Sequence, residues 1–136
     1  MTHNLLDAFG IQHNRHELIS LVGGGGKTTA MFALAQALKS LHKRVLVTTT
    51  TNIFYPAKDE CDSVIVSEAP DANMFHGVSG GTITVLGGTV VSDRKLAGVA
   101  KGFIEKLHQE RLFDGILVEC DGSKRKPIKA AAHYEP

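Results

Sequence analysis

Two cysteines in 136 residues are too few for a disulfide framework; Cys61 and Cys120 stand in dissimilar contexts and neither belongs to a Cys-x-x-Cys pair. Both are read as reduced thiols, with Cys120 packed at the end of a core strand. No apolar run approaches the roughly 20 residues needed to cross a bilayer. The start Met1-Thr2-His3-Asn4 lacks the basic and then apolar shape of a secretory signal. No membrane association is expected, and a cytoplasmic protein is. An excess of one charge is also missing: 15 Lys and Arg face 14 Asp and Glu, which argues against general nucleic-acid binding. The length suits a single domain, 1–136, that can bury a core.

Glycine, by contrast, is concentrated. Leu18-Ile19-Ser20-Leu21-Val22 runs into Gly23-Gly24-Gly25-Gly26-Lys27-Thr28-Thr29, the order expected of a strand, a phosphate-binding loop and a helix. Glycines let successive backbone N–H groups turn toward an anion, and the helix N-terminus behind them adds unsatisfied donors and partial positive charge. Gly23, Gly24, Gly25, Gly26, Lys27, Thr28 and Thr29 are therefore the candidate nucleotide-binding residues. Lys27 is expected to reach the β and γ phosphates and Thr28 to ligate Mg²⁺. The full pattern G-x-x-x-x-G-K-[ST] wants glycine six residues before the lysine, where this chain has Leu21. The flanking strand and helix patterns are the context the motif requires; a glycine-rich turn beside a solvated lysine is the plainer alternative.

Short β-branched runs alternate with longer helical ones, the signature of βαβ units around a parallel sheet. The expected elements begin with a helical turn at Leu5, Leu6 and Phe9 and a strand over about Glu17 to Val22. A helix follows from Lys27 to about Leu41, with Met31, Leu34, Leu38 and Leu41 on one face and small Ala30, Ala33 and Ala37 beside it. Val45-Leu46-Val47-Thr48 is apolar on both faces, as a central parallel strand should be. It ends in Thr48-Thr49-Thr50-Thr51-Asn52, whose hydroxyls are expected at the strand carboxyl ends beside the phosphate loop, unless threonine serves here simply as a strand former. Pro56 to Asp62 reads as loop, Ser63 to Ser67 and Thr82 to Leu86 as strands, and Arg94 to Gln109 as a helix carrying Leu96, Val99, Ala100, Phe103 and Leu107.

Phe113-Asp114-Gly115-Ile116-Leu117-Val118-Glu119-Cys120-Asp121-Gly122 is a buried strand ending in acids. Such a strand delivers a carboxylate to the sheet rim, near Mg²⁺ or its water shell. Asp121 is the first candidate and Glu119 the second, and strand alternation turns both the same way. A strand that merely ends in a polar turn is the alternative. The basic stretch Gly122-Ser123-Lys124-Arg125-Lys126-Pro127-Ile128-Lys129 could neutralise a γ-phosphate or hold an acidic second substrate, or be a solvated turn. His13 and His16 would share a helical face, but without cysteine or carboxylates other than Glu17 nearby a metal role is disfavoured.

Val22 to Thr29, Arg44 to Thr51 with Asn52-Ile53-Phe54, and Val118 to Pro136 together resemble the accessory proteins of selenium-dependent molybdenum hydroxylases, the YqeC-like family. The resemblance includes Glu119-x-Asp121-Gly122-Ser123, Pro127-Ile128-Lys129 and His133-x-Glu135-Pro136. It implies a cytoplasmic α/β protein: a three-layer P-loop NTPase-like domain with a mostly parallel central sheet, incomplete at its C-terminus because family members continue past this segment. It also implies Mg²⁺ with ATP, GTP being the alternative, and a part in maturing a molybdenum hydroxylase or its cofactor. Lys27, Asp121 and Glu119 are the catalytic candidates, Thr28 and Asp121 the metal ligands, and His133 and Glu135 further site candidates. Phosphate transfer or hydrolysis is one expected outcome; a nucleotide-switched binding module without catalysis is the other.

Overall fold

The computed structural model describes residues 2–12, 15–22, 26–92 and 94–120. In chain order the elements are helix α1 (Thr2–Ala8), strand β1 (Glu17–Leu21), helix α2 (Lys27–Ser40), and strands β2 (Arg44–Thr49), β3 (Asn52–Phe54) and β4 (Ser63–Val66). A 3₁₀ turn (Ala72–Phe75), strands β5 (Thr82–Gly87), β6 (Thr89–Ser92) and β7 (Lys95–Ala97), helix α3 (Lys101–Gln109) and strand β8 (Gly115–Glu119) complete them. Five strands form a parallel sheet in the order β1-β8-β2-β5-β4.

Side-chain alternation along these strands builds two cores. Val45 and Val47 of β2, Ile83 and Val85 of β5 and Leu117 of β8 face Met31, Leu34, Ala35 and Leu38 of α2, with Leu6 of α1 behind them. Leu46, Leu86, Ile116 and Val118 point the other way, onto Ile104 and Leu107 of α3 and onto Phe75 and Phe113. The last two rings meet edge to face with centroids 5.5 Å apart. Helices on both faces of a parallel sheet make this a three-layer α/β domain, as expected. On α2 the small residues that admit neighbours are Ala35 and Ala37, whereas Ala33 is exposed.

The helix expected over Arg94 to Gln109 begins only at Lys101. Leu96 and Val99 do fall at helical spacing, but Lys95–Ala97 is the middle strand of an antiparallel sheet ordered β3-β7-β6. Leu96 is fully buried there. Ladder bonds to two neighbours, and Gly98 lying against the Thr49 and Thr50 backbone, hold this segment extended where periodicity alone suggested a turn of helix. His16 precedes β1 outside any helix, and His13 lies outside the described residues. Among the described residues no three His, Cys, Asp or Glu side chains cluster as a metal site, and no helix is long and apolar enough to cross a membrane.

At the amino ends of the strands Asp114 ties the sheet together. Its carboxylate accepts from the Arg44 N–H at 2.8 Å and from the Arg44 guanidinium at 3.2 and 3.1 Å, and His16 Nε2 stands 3.5 Å away. Asp62 plays the same part between α2 and β5, accepting from the Ile83 N–H at 2.7 Å and from Lys39 at 3.0 Å. Burial pushes the Asp114 carboxyl up, but the Arg44 hydrogen bonds and charge outweigh it and hold the group below the usual carboxylate range. The Ile83 N–H, with Lys39, does so for Asp62 against burial. Burial lowers His16 in spite of Asp114, so its imidazole is the neutral form at pH 7.

All three folded-state values lie below their unfolded ones, so each contribution is complete above the unfolded pKa and is lost as pH falls through the folded pKa. Stability should therefore decline first below the histidine range and then more steeply below about pH 4. Urea melts between pH 7 and 3 measure this, and Asp114→Asn should flatten the acid limb; an unchanged limb in that variant would refute the assignment.

Candidate functional site

The parallel arrangement brings the carboxyl ends of β1, β8, β2, β5 and β4 to one rim. Between β1 and α2, Gly26 takes φ 88° at the helix N-cap, a left-handed conformation that costs an ordinary side chain roughly 1–2 kcal/mol. Its carbonyl accepts the Ala30 N–H at 3.0 Å, so helical bonding starts at once. Lys27 and Thr28 are the first two residues of α2 and are held half-buried over the end of β8.

Glu119 is the last residue of β8, paired in register with Leu21 on one side and Thr49 on the other. Its side chain is only 11% exposed. Thr28 Oγ1 donates to Glu119 Oε1 at 2.7 Å, and Lys27 Nζ lies 4.0 Å from Oε2. The same ammonium donates to the Cys120 carbonyl at 2.6 Å. Cys120 itself is half-buried beside the second core, with its N–H donated to the Leu21 carbonyl at 3.0 Å. A lysine, a hydroxyl and a carboxylate thus converge where β1, β8 and α2 meet, at the positive end of a helix.

Of the two acids expected here, Glu119 is the one found beside Thr28. Asp121 lies outside the described residues, as do Gly23, Gly24, Gly25, the basic stretch 122–129, His133 and Glu135. Thr29 is exposed on the first turn of α2. The threonine hydroxyls were expected to face the rim, but the inner two are taken up by neighbouring strands. Thr48 donates to the Leu86 carbonyl of β5 at 2.7 Å and Thr49 to the Glu119 carbonyl at 2.8 Å. Both side chains are fully buried, and an unpaired hydroxyl there would be costly. The Cys120 carbonyl is a backbone group, and no residue type signals its part in holding Lys27.

Thr28 Oγ1 and Glu119 Oε1 form a hard oxygen pair. Their 2.7 Å separation is about 0.3 Å shorter than the roughly 3.0 Å between neighbouring ligands of an octahedral ion with bonds of about 2.1 Å, so a small opening of this hydrogen bond would let the pair hold Mg²⁺. On the same rim a shallow cleft of about 210 Å³ opens between Glu68, Pro70, Gly88, Gly98 and Phe103.

Sheet order, glycine-capped helix and lysine-hydroxyl-carboxylate cluster define a three-layer α/β protein of P-loop type. Residues 19–136 match the family described as YqeC protein, and the chain belongs to that family. The curated Uncharacterized protein YqeC of Escherichia coli (strain K12) is 34% identical over 122 residues, which cover 90% of this chain and 47% of that protein. The chain therefore spans about half the length of this relative. No solved structure matches it.

Proposed function

We propose that this protein binds a nucleoside triphosphate with Mg²⁺ at Gly26, Lys27, Thr28 and Glu119, and that it serves in the cytoplasm in maturing a selenium-dependent molybdenum hydroxylase or its cofactor. The observation that carries the nucleotide assignment is the meeting of Lys27 and Thr28 with Glu119, directly behind the left-handed Gly26. The resemblance in Val22 to Thr29 and Val118 to Pro136 supports the hydroxylase assignment.

The first N–H groups of α2 have no acceptor within the helix and suit a phosphate oxygen. Lys27 exchanges the Cys120 carbonyl for β and γ phosphate oxygens, gaining a charge-assisted hydrogen bond. Thr28 and Glu119 would hold Mg²⁺, which when bound supplies positive charge toward the phosphates. ATP is the favoured nucleotide and GTP the alternative. If a phosphoryl group is transferred, the cleft beside Phe103 offers its acceptor a seat on the same rim. Slow or absent hydrolysis, with nucleotide acting as a switch, is the second possibility. It is favoured by the direct bonding of the Glu119 backbone to the threonine run that leads into the small sheet.

Calorimetric titration with ATP and with GTP, each with and without Mg²⁺, tests the nucleotide assignment. Saturable binding of one nucleotide is expected, strengthened about tenfold or more by Mg²⁺, with that gain lost in Glu119→Gln. A folded chain that binds neither nucleotide overturns the assignment.

A further inference from the structure

The threonine run is the part of the sequence pattern that nucleotide binding by itself does not account for. Thr49 closes β2 and is fully buried. Its hydroxyl donates to the Glu119 carbonyl at 2.8 Å and accepts the Thr51 N–H at 3.0 Å. A carbonyl cannot donate, so the single Thr49 proton goes to Glu119, and in the 3.2 Å contact between the Thr49 and Thr51 hydroxyls Thr51 is the donor. The Thr50 N–H adds a second bond to the Glu119 carbonyl at 3.2 Å. On the other flank the Cys120 N–H is bonded to Leu21. The end of β8 is thus clamped from both neighbouring strands at the residue whose carboxylate meets Thr28.

We propose that Thr49 is a positioning residue for the metal leg of the nucleotide site: its buried hydroxyl fixes the Glu119 backbone, and through it the carboxylate beside Thr28. The proposal rests on the nucleotide reading above and adds a residue to it. Strand alternation makes it specific. Thr48 is equally buried and also donates to a strand carbonyl, but its hydroxyl is committed to Leu86 on β5. Two adjacent buried threonines therefore make the same kind of bond, and only one of them holds Glu119. Removing either hydroxyl leaves a carbonyl short of a donor, and removing that of Thr49 also leaves the Thr51 N–H without its acceptor, so both should lower stability, Thr49→Val the more. Only Thr49 should alter the site.

The test compares Thr49→Val, Thr49→Ser and Thr48→Val in the full chain. In nucleotide-free protein, Thr49→Val should shift the amide NMR signals of Lys27, Thr28, Glu119 and Cys120, whereas Thr48→Val should leave those four in place. In titrations with ATP, Thr49→Val should reduce the gain in affinity on adding Mg²⁺ about tenfold while leaving Mg²⁺-free affinity within twofold. Thr49→Ser should restore the gain, and Thr48→Val should keep it. The serine variant, which preserves the hydroxyl, decides the matter if the valine variant does not fold: wild-type shifts and gain are then expected. A Thr49→Val protein with unmoved signals, or one indistinguishable from Thr48→Val, overturns the role assigned to Thr49. Failure of the wild type to bind nucleotide overturns the nucleotide assignment instead, and the nucleotide-free spectra still decide whether Thr49 positions Glu119.

Discussion

Lys27→Ala lowers the affinity for Mg²⁺ and nucleoside triphosphate by about a hundredfold while lowering the melting temperature by only a few degrees. The first half follows from the chemistry of the contact. A hydrogen bond to a charged group contributes about 1.5–3 kcal/mol, and the lysine can serve two phosphates at once. A loss near 2.7 kcal/mol is about a hundredfold in dissociation constant. The second half follows from the nucleotide-free structure. There the ammonium is held by the Cys120 carbonyl at 2.6 Å and stands 4.0 Å from the Glu119 carboxylate, contacts that together contribute about 1.5–3 kcal/mol. Against their loss stand alanine's better helix propensity at the first position of α2 and the removal of a cation from the positive end of the helix. These two gains offset about 1 kcal/mol of the loss and leave a fall of only a few degrees in melting temperature. Isothermal titration together with a thermal melt separates the two halves. Wild-type affinity in Lys27→Ala would sink the site assignment, and a large fall in melting temperature would mean that the lysine is a structural pillar.

Much of this site was legible because its elements carry strong local patterns. Val45 to Val47 and Ile116 to Val118 are apolar on both faces, which only a strand covered on both sides can bury, and α2 repeats its apolar residues at helical spacing over 14 residues. Of the glycine run Gly26 is described, and it does use the φ that only glycine adopts cheaply. What stayed hidden depends on residues distant in the chain. Asn52–Phe54 and Lys95–Ala97 are three residues each, too short to show a period, and their pairing joins segments about 40 positions apart. Leu96, Val99 and Phe103 satisfy a helix pattern by coincidence, because Leu96 faces the core from a strand and the helix starts later. Thr48 and Thr49 looked alike in sequence; register with β5 and β8 gives them different partners. Glu119 was named among the candidate acids, but its place beside Thr28 depends on where β8 ends relative to β1, a property of the ladder.

Gly98→Ala should be among the most damaging single-methyl additions to this fold. Gly98 joins β7 to α3 where the chain passes directly over the end of β2. Its N–H donates to the Thr51 carbonyl at 2.6 Å and the next N–H, of Val99, to the Thr49 carbonyl at 3.0 Å. A Cβ at Gly98 would collide with the Thr49 carbonyl oxygen and come within 2.7 Å of the Thr50 carbonyl carbon. Both obstacles are backbone, so no rotamer change relieves them. The junction must lift, straining or breaking both hydrogen bonds at about 1 kcal/mol each, on top of about 1–3 kcal/mol for overpacking. A total of about 3–5 kcal/mol corresponds to a fall of about 10 °C or more in melting temperature for a domain of this size. Gly102→Ala is the matched control: it lies in α3, a Cβ there meets nothing within 4 Å, and alanine should stabilise the helix by about 0.5–1 kcal/mol. Opposite shifts in calorimetric melts are expected from the same methyl group four residues apart. A Gly98→Ala protein melting within 2 °C, as an order of magnitude, of wild type would show that the junction yields freely. If it does not yield, the strain falls on Thr49, whose carbonyl is struck and whose hydroxyl holds Glu119. Gly98→Ala should then also weaken the Mg²⁺-dependent part of nucleotide affinity.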